Sequence, residues 1–347
     1  MMRSEVKNIL IIKWGALGDI VMSTSAIAAV RENYPDAKIT ILSNHLMTQI
    51  LPEGFLYNEL IVIKTKGNRV DESFLNQLKL IYELRKRKFD LAINLRWTSE
   101  RGAVLAFLSG AKYRVSSGPK NVMGLYTIHA EAPSGRYHEI HRNLDIVKAL
   151  GITVKDEIPT IFISENDQKF ADQFFQKNNL SKDNTICIHP GASRPIRAWM
   201  PDRFREIIKL AVEKLNVKII ITWGADEEKL ARNVADGLGP NVIVSERTKS
   251  IGELAAIIKN STLFFSNCTG PMNVAVADRT TVVALLGSSD PTDWGAYGES
   301  NANIKSPLIL EHYSDEDEKN AMEMITVDYV WKVIKDKWNE LNSGKKL

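Results

Sequence analysis

Residues 8–19 read NILIIKWGALGD, an apolar run that stops at a lysine and passes into a loop with two glycines. An uninterrupted apolar run of this length predicts a strand buried on both faces, as in a parallel sheet. Similar runs recur along the chain, each followed by a loop of small residues and an amphipathic helical stretch. This alternation predicts an α/β fold with doubly wound parallel sheets.

The predicted elements form two successive series of similar length. In the first, we predict strands at 8–13, 38–43, 60–64 and 91–95 and helices at 23–33, 74–88 and 143–150. In the second, we predict strands at 185–189, 218–222, 241–244, 263–266 and 281–286 and helices at 201–215, 226–238, 251–259 and 324–341. Pro, Asn and Asp residues between 155 and 170 mark the transition. We therefore expect two doubly wound domains, residues 1–165 and 166–325, followed by a terminal segment at 326–347.

Composition excludes several classes of protein. The 45 basic and 42 acidic residues leave a net charge of +3, too small to indicate nucleic-acid binding. Apolar runs such as Val282–Leu286 are far shorter than the ~20 residues that span a bilayer, and the amino-terminal apolar stretch is too short for a signal peptide. Cys187 and Cys268 fit neither a zinc site nor a disulfide framework, so we expect a cytoplasmic protein.

The loop after the first predicted strand contains Gly15, Gly18 and Asp19. Two glycines let the backbone turn tightly and approach a ligand, and the following helix can receive negative charge. Asp19 is either a helix cap or a catalytic carboxylate, and the residues alone favour the cap. The loop lacks the third glycine of a dinucleotide fingerprint and the GK[ST] of a Walker loop, which argues against a nicotinamide dehydrogenase.

Three loops of the second series offer groups that suit a nucleotide. Residues 189–193 (HPGAS) lie close to Arg194 and Arg197, and such small residues and guanidinium groups suit a diphosphate, although an ordinary turn with solvated arginines fits equally well. Residues 223–228 (WGADEE) place an acidic residue where nucleotide-binding folds bind ribose hydroxyls. Acidic residues are also common in the first turn of any helix, which explains this segment equally well. Residues 267–272 (NCTGPM) offer a hydroxyl and backbone amides. All three loops follow strands of one predicted sheet, and ligands of parallel sheets bind beyond the carboxyl ends of the strands. This shared position strengthens the evidence from each loop for a nucleotide site.

These segments, taken together, resemble glycosyltransferase family 9, whose best-known members are the lipopolysaccharide heptosyltransferases. The resemblance runs in the family's order from residue 9 to about residue 298. It is carried by ILIIKWGALGDIVMSTSAIAAVRENYPDAKITILSN, HEIHRNLDIVKALGI, ICIHPGAS, RAWMPDRFREII, WGADEEKLA, SNCTGPMNVAVA and TVVALLGSSDPTDWG.

The resemblance implies a GT-B fold, in which two Rossmann-like domains face each other across a cleft. The amino-terminal domain would take the acceptor, the carboxy-terminal domain would take the nucleotide sugar, commonly ADP-heptose, and the terminal helix would pack back on the amino-terminal domain. The implied reaction inverts the anomeric centre without a bound metal or cofactor. A general base deprotonates the acceptor hydroxyl while cations and amides stabilise the departing diphosphate.

The resemblance also assigns roles to individual residues. Asp19 falls on the family's general base, which shifts its interpretation from cap to catalysis. Arg197 replaces the family's phosphate-contacting lysine and keeps the charge. The remaining implied contacts are Ser193, Thr269 and Gly270 with phosphates, Glu227 (or, one residue on, Glu228) with ribose, Asn273 with a phosphate oxygen, and Gly15, Gly18 and Arg96 on the acceptor side.

The sequence departs from the family pattern in the donor loop. The family's D-[ST]-G-x-x-H-x-A becomes Cys268 to Ala275, so that Cys268 replaces an aspartate and Asn273 replaces a histidine. A neutral thiol accepts hydrogen bonds poorly, and an amide adds no positive charge. Two alternatives to an ADP-heptose enzyme follow: a family member that uses another nucleotide sugar, or a non-catalytic nucleotide-sugar binding protein.

The implied acceptor is a lipid-linked or core oligosaccharide, which is anionic. Arg101, Lys112, Arg114 and the run Arg85–Lys88 offer cations for it, although residues 85–88 are more typical of a solvated helix end. Such an acceptor would bring the enzyme to the inner face of the plasma membrane in a peripheral contact. The sequence itself shows no evident amphipathic membrane helix.

Overall fold

Two parallel six-stranded sheets form the centres of the two halves of the chain. The computed structural model describes residues 5–63, 65–66, 69–70, 73–118, 120–131, 135–309 and 314–343. The chain divides into residues 1–162, here called unit 1, and residues 163–347, called unit 2. The division falls close to the predicted boundary at residue 165.

Unit 1 alternates strands and helices around its parallel sheet. Its strands are β1 (Asn8–Ile12), β2 (Lys38–Ser43), β3 (Glu59–Val62), β4 (Thr65–Lys66), β5 (Arg69–Val70), β6 (Leu91–Asn94), β7 (Tyr113–Ser116) and β8 (Ile128–His129). Its helices are α1 (Leu17–Val21), α2 (Thr24–Asn33), α3 (Leu46–Ile50), α4 (Phe74–Lys86), α5 (Glu100–Leu108) and α6 (Glu139–Lys148). The sheet has the order β3-β2-β1-β6-β7-β8, whereas β4 and β5 form a separate antiparallel pair.

Unit 2 repeats this arrangement. Its strands are β9 (Thr185–His189), β10 (Lys218–Ile221), β11 (Val242–Val244), β12 (Leu263–Asn267), β13 (Thr281–Gly287) and β14 (Ala302–Lys305). Its helices are α7 (Glu165–Lys177), α8 (Pro201–Leu215), α9 (Glu228–Ala235), α10 (Ile251–Lys259), α11 (Gly270–Ala277), α12 (Pro291–Trp294), α13 (Asp315–Glu323) and α14 (Val327–Ser343). The order is β11-β10-β9-β12-β13-β14.

Both sheets have the Rossmann topology. Numbered along the chain within its own sheet, each reads 3-2-1-4-5-6, and the paired strands run parallel. The strand order reverses between β1 and β6 in unit 1 and between β9 and β12 in unit 2. These switch points leave a crevice at the carboxyl ends of the strands, where doubly wound proteins bind ligands. The prediction of doubly wound parallel sheets is confirmed.

Apolar periodicity explains why the sheets are covered. Ile9, Leu10, Ile11 and Ile12 of β1 are completely buried, as expected of a strand with helices on both faces. In α8, the buried residues Phe204, Ile207, Ile208 and Ala211 recur at the spacing of a single helix face. Burial of a large aliphatic or aromatic side chain contributes about 1.5–3 kcal/mol, so these faces hold each layer against its sheet.

The expected linker is partly helical. Helix α7 begins at Glu165, inside the segment 155–170. The Ser164 hydroxyl accepts a hydrogen bond from the Asp167 backbone N–H at 3.1 Å, and the Asp167 carboxylate accepts one from the Ser164 N–H at 3.0 Å. This reciprocal capping box starts a helix, so Asp167, which looked like a breaker, is a helix-initiating residue.

The terminal helix α14 packs within unit 2. Its apolar face, formed by Val330, Ile334 and Trp338, is buried in the same hydrophobic core as Phe204 and Ile207 of α8. The apolar residues on one face of α14 are therefore buried in the core of unit 2, to which the helix belongs. The expectation that the segment 326–347 packs on the amino-terminal domain stays a prediction.

Candidate functional site

The predicted residues of unit 1 lie at its switch point. Gly15, Gly18 and Asp19 follow β1, and Arg96 follows β6, the neighbouring strand in the sheet. The Arg96 guanidinium lies 6.0 Å from the centre of the Trp14 ring, which precedes Gly15. The structure therefore brings the cation and the glycine loop to the same edge of the sheet.

Asp19 serves as a helix cap and keeps one carboxylate oxygen available. It stands in the first turn of α1, where Oδ2 accepts a hydrogen bond from the Ala16 N–H at 3.1 Å. A Cβ atom at Gly15 would lie 2.5 Å from that Oδ2, so this close approach requires glycine. Among the residues described, Oδ1 has no hydrogen-bond partner. The two interpretations of Asp19 are thus compatible, with one oxygen for each.

A buried ion pair beneath this loop was missed by sequence reasoning. Lys13 is 1% exposed, and its Nζ lies 2.9 Å from Glu139 Oε1 and 3.3 Å from Asn143 Oδ1. Glu139 Oε2 accepts a hydrogen bond from Trp97 Nε1 at 3.0 Å. The network joins the end of β1 to α6 and to the loop after β6. Its signal in the sequence was a lysine directly after a buried apolar strand, because such a charge needs a buried partner.

In unit 2, Glu227 is held at the carboxyl ends of β9 and β10. Its Oε2 accepts a hydrogen bond from the Gly224 N–H at 2.8 Å and lies 3.3 Å from His189 Nε2, while His189 Nδ1 lies 3.1 Å from the Thr222 hydroxyl. Burial alone would raise the pKa of Glu227, but His189 and the Gly224 amide together lower it below its ordinary value. Glu227 is therefore a carboxylate at neutral pH.

Two further observations distinguish Glu227 as the acid of this loop. A Cβ atom at Gly191 would overlap its carboxylate, so the glycine of the HPGAS loop makes room for it. Glu228, the alternative one residue on, is instead paired with Arg232 one turn along α9 at 2.7 Å. The structure thus brings the first and second predicted loops of unit 2 together around Glu227.

Arg197 lies in a short 3₁₀ helix, Pro195–Arg197, and is tied to α13. Its Nε donates a hydrogen bond to Glu318 Oε1 at 2.9 Å, and Nη2 contacts the same oxygen. The Arg194 Nη1 lies 3.0 Å from Glu318 Oε2. Hydrogen bonding to Arg197 lowers the pKa of Glu318, which is 5% exposed, so this buried group is a carboxylate. Within the described part of the chain, Arg197 Nη1 makes no hydrogen bond and remains available to a ligand. Ser193 is exposed in the same loop.

Asn267, at the end of β12, joins the loops after β9 and β12, and this role was not predicted. Its Oδ1 accepts a hydrogen bond from the Trp199 N–H at 3.0 Å, and its Nδ2 donates to the carbonyl oxygens of Pro190 and Gly191 at 2.8 and 3.1 Å. Thr269 then caps α11 without using its side chain, and Gly270 is the first residue of the helix. The Thr269 hydroxyl and the first amides of α11 remain available to a ligand.

The two departures from the family pattern are both electrically neutral. Cys268 donates to the Trp294 carbonyl oxygen at 3.6 Å, and burial raises the pKa of its thiol to about 11 despite the nearby Arg197 charge. Asn273 is 7% exposed, and its Nδ2 donates to the Thr269 carbonyl oxygen at 3.5 Å. The carboxylate that pairs with Arg197 therefore comes from α13 and not from position 268.

Two other features bear on function. Within the described ranges, His, Cys, Asp and Glu side chains form no group of three or more that suits a metal ion. No helix among those same residues combines the length and the apolarity needed to cross a bilayer.

Solved structures with the same fold define the class of protein. The family 9 glycosyl transferase from Veillonella parvula DSM 2008 superimposes with a TM-score of 0.80 at 22% identity, covering 96% of this chain and 97% of that one. The E. coli heptosyltransferase WaaC, solved with ADP-2-deoxy-2-fluoro heptose, gives 0.70 at 18% identity, covering 95% and 99%. The protein has the GT-B fold.

Residues 77–325 match the model of glycosyltransferase family 9 (heptosyltransferase), so the chain belongs to that family. Lipopolysaccharide heptosyltransferase 3 of Escherichia coli K12 is 28% identical over 303 residues, which are 82% of this chain and 83% of the relative. The predicted family and fold are confirmed. The matched range begins after the loop of Gly15 and Asp19, so the roles given to those residues do not rest on it.

Proposed function

We propose that this protein transfers a heptosyl group from ADP-heptose to a lipopolysaccharide core or related glycan, with inversion of the anomeric centre. The part of this proposal that concerns the nucleotide-sugar donor rests on the cluster around Glu227 at the switch point of unit 2. An ionised, partly exposed carboxylate in this position suits the ribose hydroxyls of a nucleotide. The relatives support the sugar, since one is named as a lipopolysaccharide heptosyltransferase and another was solved with an ADP-heptose analogue.

The remaining donor residues suit the diphosphate. Arg197 offers Nη1, while Ser193, Thr269 and the amides that begin at Gly270 offer further donors. Asn273 stands one turn into the same helix and would donate to a phosphate oxygen. Together these groups would stabilise the negative charge that develops on the leaving diphosphate.

Asp19 is the proposed general base. As the acceptor oxygen bonds to the anomeric carbon, the bond from that carbon to the diphosphate oxygen breaks, and ADP leaves with the electron pair. Asp19 Oδ1 takes the proton of the acceptor hydroxyl, while Oδ2 stays bound to the Ala16 N–H. Gly15 and Gly18 shape this loop, and Arg96 would face an anionic acceptor. Charge stabilisation by Arg197 and helix amides would make the reaction independent of metal.

A second donor is favoured by one observation. Because Cys268 is neutral and Asn273 carries no charge, the loop that begins α11 lacks the aspartate and the histidine of the family pattern. A family member with another nucleotide sugar, or one that binds a nucleotide sugar without transfer, fits this difference.

Donor choice is tested by measuring ADP or UDP release from ADP-heptose and from other nucleotide sugars, with a core oligosaccharide acceptor and with EDTA present. The proposal expects ADP-heptose to be preferred and EDTA to have no effect. Preference for another nucleotide sugar supports the second candidate. Calorimetric binding without turnover supports a binding protein, and absence of binding to every nucleotide sugar contradicts all three.

The acceptor also suggests where the protein works. A lipid-linked glycan would hold the enzyme at the inner face of the plasma membrane, as a cytoplasmic protein in peripheral contact with lipid. The contact itself requires a surface that fits a bilayer.

A further inference from the structure

Helix α4 exposes an apolar face to solvent. Phe74 is 73% exposed, Leu75 75%, Leu78 48% and Tyr82 63%. At 100° per residue, these four side chains fall within an arc of about 100° on the helix. Soluble domains seldom expose large apolar side chains in such a group, and contiguous patches of this kind mark interaction surfaces.

The same face is basic. Lys79, Arg85 and Lys86 are exposed and fall in or beside the arc of apolar residues. The single acid of the helix, Glu83, points away from the arc and is paired with Arg87 at 2.9 Å. The exposed face of α4 therefore combines aromatic and leucine side chains with cations and carries no carboxylate.

The neighbouring helix α5 adds to this surface. It is joined to α4 by a hydrogen bond from Arg101 Nη2 to Gln77 Oε1 at 2.6 Å, and it exposes Val104 and Phe107. The Arg114 guanidinium lies over the Phe107 ring at 5.5 Å. Its side chain donates hydrogen bonds to the carbonyl oxygens of Ala111 at 2.6 Å and Leu125 at 2.7 Å, and no carboxylate among the described residues pairs with it.

We propose that α4, with α5 beside it, docks unit 1 on the surface of an anionic phospholipid bilayer. Leucine and aromatic side chains would enter the boundary between headgroups and acyl chains while Lys and Arg meet anionic headgroups. The cations argue against a second copy of this chain, because symmetric pairing of α4 with itself would place like charges together. The inference rests on the proposed function for the location of the acceptor and deepens it, because it names the surface that makes the peripheral contact with lipid.

Vesicle sedimentation with the full-length protein tests this surface. Phosphatidylcholine vesicles are compared with vesicles that also contain phosphatidylglycerol. We expect binding to the anionic vesicles to be about tenfold tighter, and to weaken at about 0.5 M salt because headgroup attraction is screened. Equal binding to both vesicle types, or no binding, would overturn the proposal.

Two variants and a control locate the contact. Leu75→Ser with Leu78→Ser removes the apolar part, and Lys79→Glu with Lys86→Glu reverses the basic part; each is expected to weaken binding about tenfold. Tyr329→Ser with Lys335→Glu, on the exposed side of α14, is the matched control and should bind as the parent does. Binding unchanged in both α4 variants contradicts the proposal. So does a dimer in light scattering that the α4 variants abolish, which would identify a second copy as the occupant.

Calorimetry with ADP separates this result from the proposed function. Every variant should bind ADP as the parent does, because α4 belongs to unit 1 and the donor residues belong to unit 2. ADP binding with no vesicle binding rejects only the docking surface, whereas vesicle binding with no ADP binding rejects only the donor assignment.

Discussion

The loops after β1 and β9 stand at equivalent places in two sheets of the same strand order, yet they carry different chemistry. In unit 1 the cation, Lys13, is buried and neutralised by Glu139, and Asp19 keeps a carboxylate oxygen available. In unit 2 Arg197 is 44% exposed and, among the described residues, keeps an N–H group without a partner, while Glu227 in the loop after β10 is held by His189, the last residue of β9. In our proposal the first loop accepts a proton and the second binds an anion. The shared fold sets where a ligand lies, and the few residues after each strand set what it is.

The largest effect is expected at Asp19. Asp19→Asn keeps an oxygen for the Ala16 N–H but removes the proton acceptor, so kcat should fall about 10³-fold. Affinity for ADP, measured by calorimetry, should not change, and Asp36→Asn on the surface serves as the control. If turnover survives in Asp19→Asn, the loop of unit 1 is a structural turn and the contrast between the two loops fails.

Removal of one partner of the buried ion pair in unit 1 should lower the stability of the protein. Lys13→Met leaves the Glu139 carboxylate buried without its cation, which should lower the free energy of unfolding by about 3–5 kcal/mol. Urea denaturation measures this loss, and Lys7→Met is the control, because Lys7 is exposed directly before β1. Lys13→Met combined with Glu139→Gln should recover part of the loss, and a double variant as unstable as the single one would contradict the pairing.

Substitution of Glu227 should weaken ADP binding, and the pH dependence of this effect should reflect the lowered pKa of the carboxylate. Glu227→Gln should weaken ADP binding about 30-fold, since hydrogen bonds to a charged group are lost, whereas Glu228→Gln should have little effect. Because the pKa of Glu227 is lowered, its contribution is present at neutral and mildly acidic pH and is lost only as the pH falls through that lowered pKa. Calorimetry between pH 6 and 9 should therefore show a constant difference between parent and variant. A difference that vanishes near pH 6 would mean that the carboxylate is not the recognising group.

The smallest effect is expected at Glu318, which orients Arg194 and Arg197. Glu318→Ala should raise the donor KM about fivefold with little change in kcat, because the donor must then order those side chains itself. Glu316→Gln, exposed on the same helix, is the control. Tighter ADP binding in Glu318→Ala would show the reverse, namely that Glu318 competes with the diphosphate for Arg197.

Much of the fold could be predicted from local sequence patterns. Runs such as NILII and TVVALL have too many apolar neighbours to lie anywhere but in a covered sheet, and the loops after them were found at the predicted edge. The capping box at Ser164 lies among residues that equally suit a turn, so the first residues of α7, up to residue 170, were assigned to the linker. The destination of α14 depended on which core its apolar stripe would complete, and periodicity alone does not say.

The amino-acid sequence by itself determined the doubly wound class, the family and the position of most candidate residues, because strand-end loops are local features. Only the tertiary structure decided which groups meet: Lys13 with Glu139, 126 positions apart, Arg197 with Glu318, 121 apart, and the apolar face of α4 with solvent. Ion pairing and exposure depend on contacts between distant segments, and no local pattern encodes these.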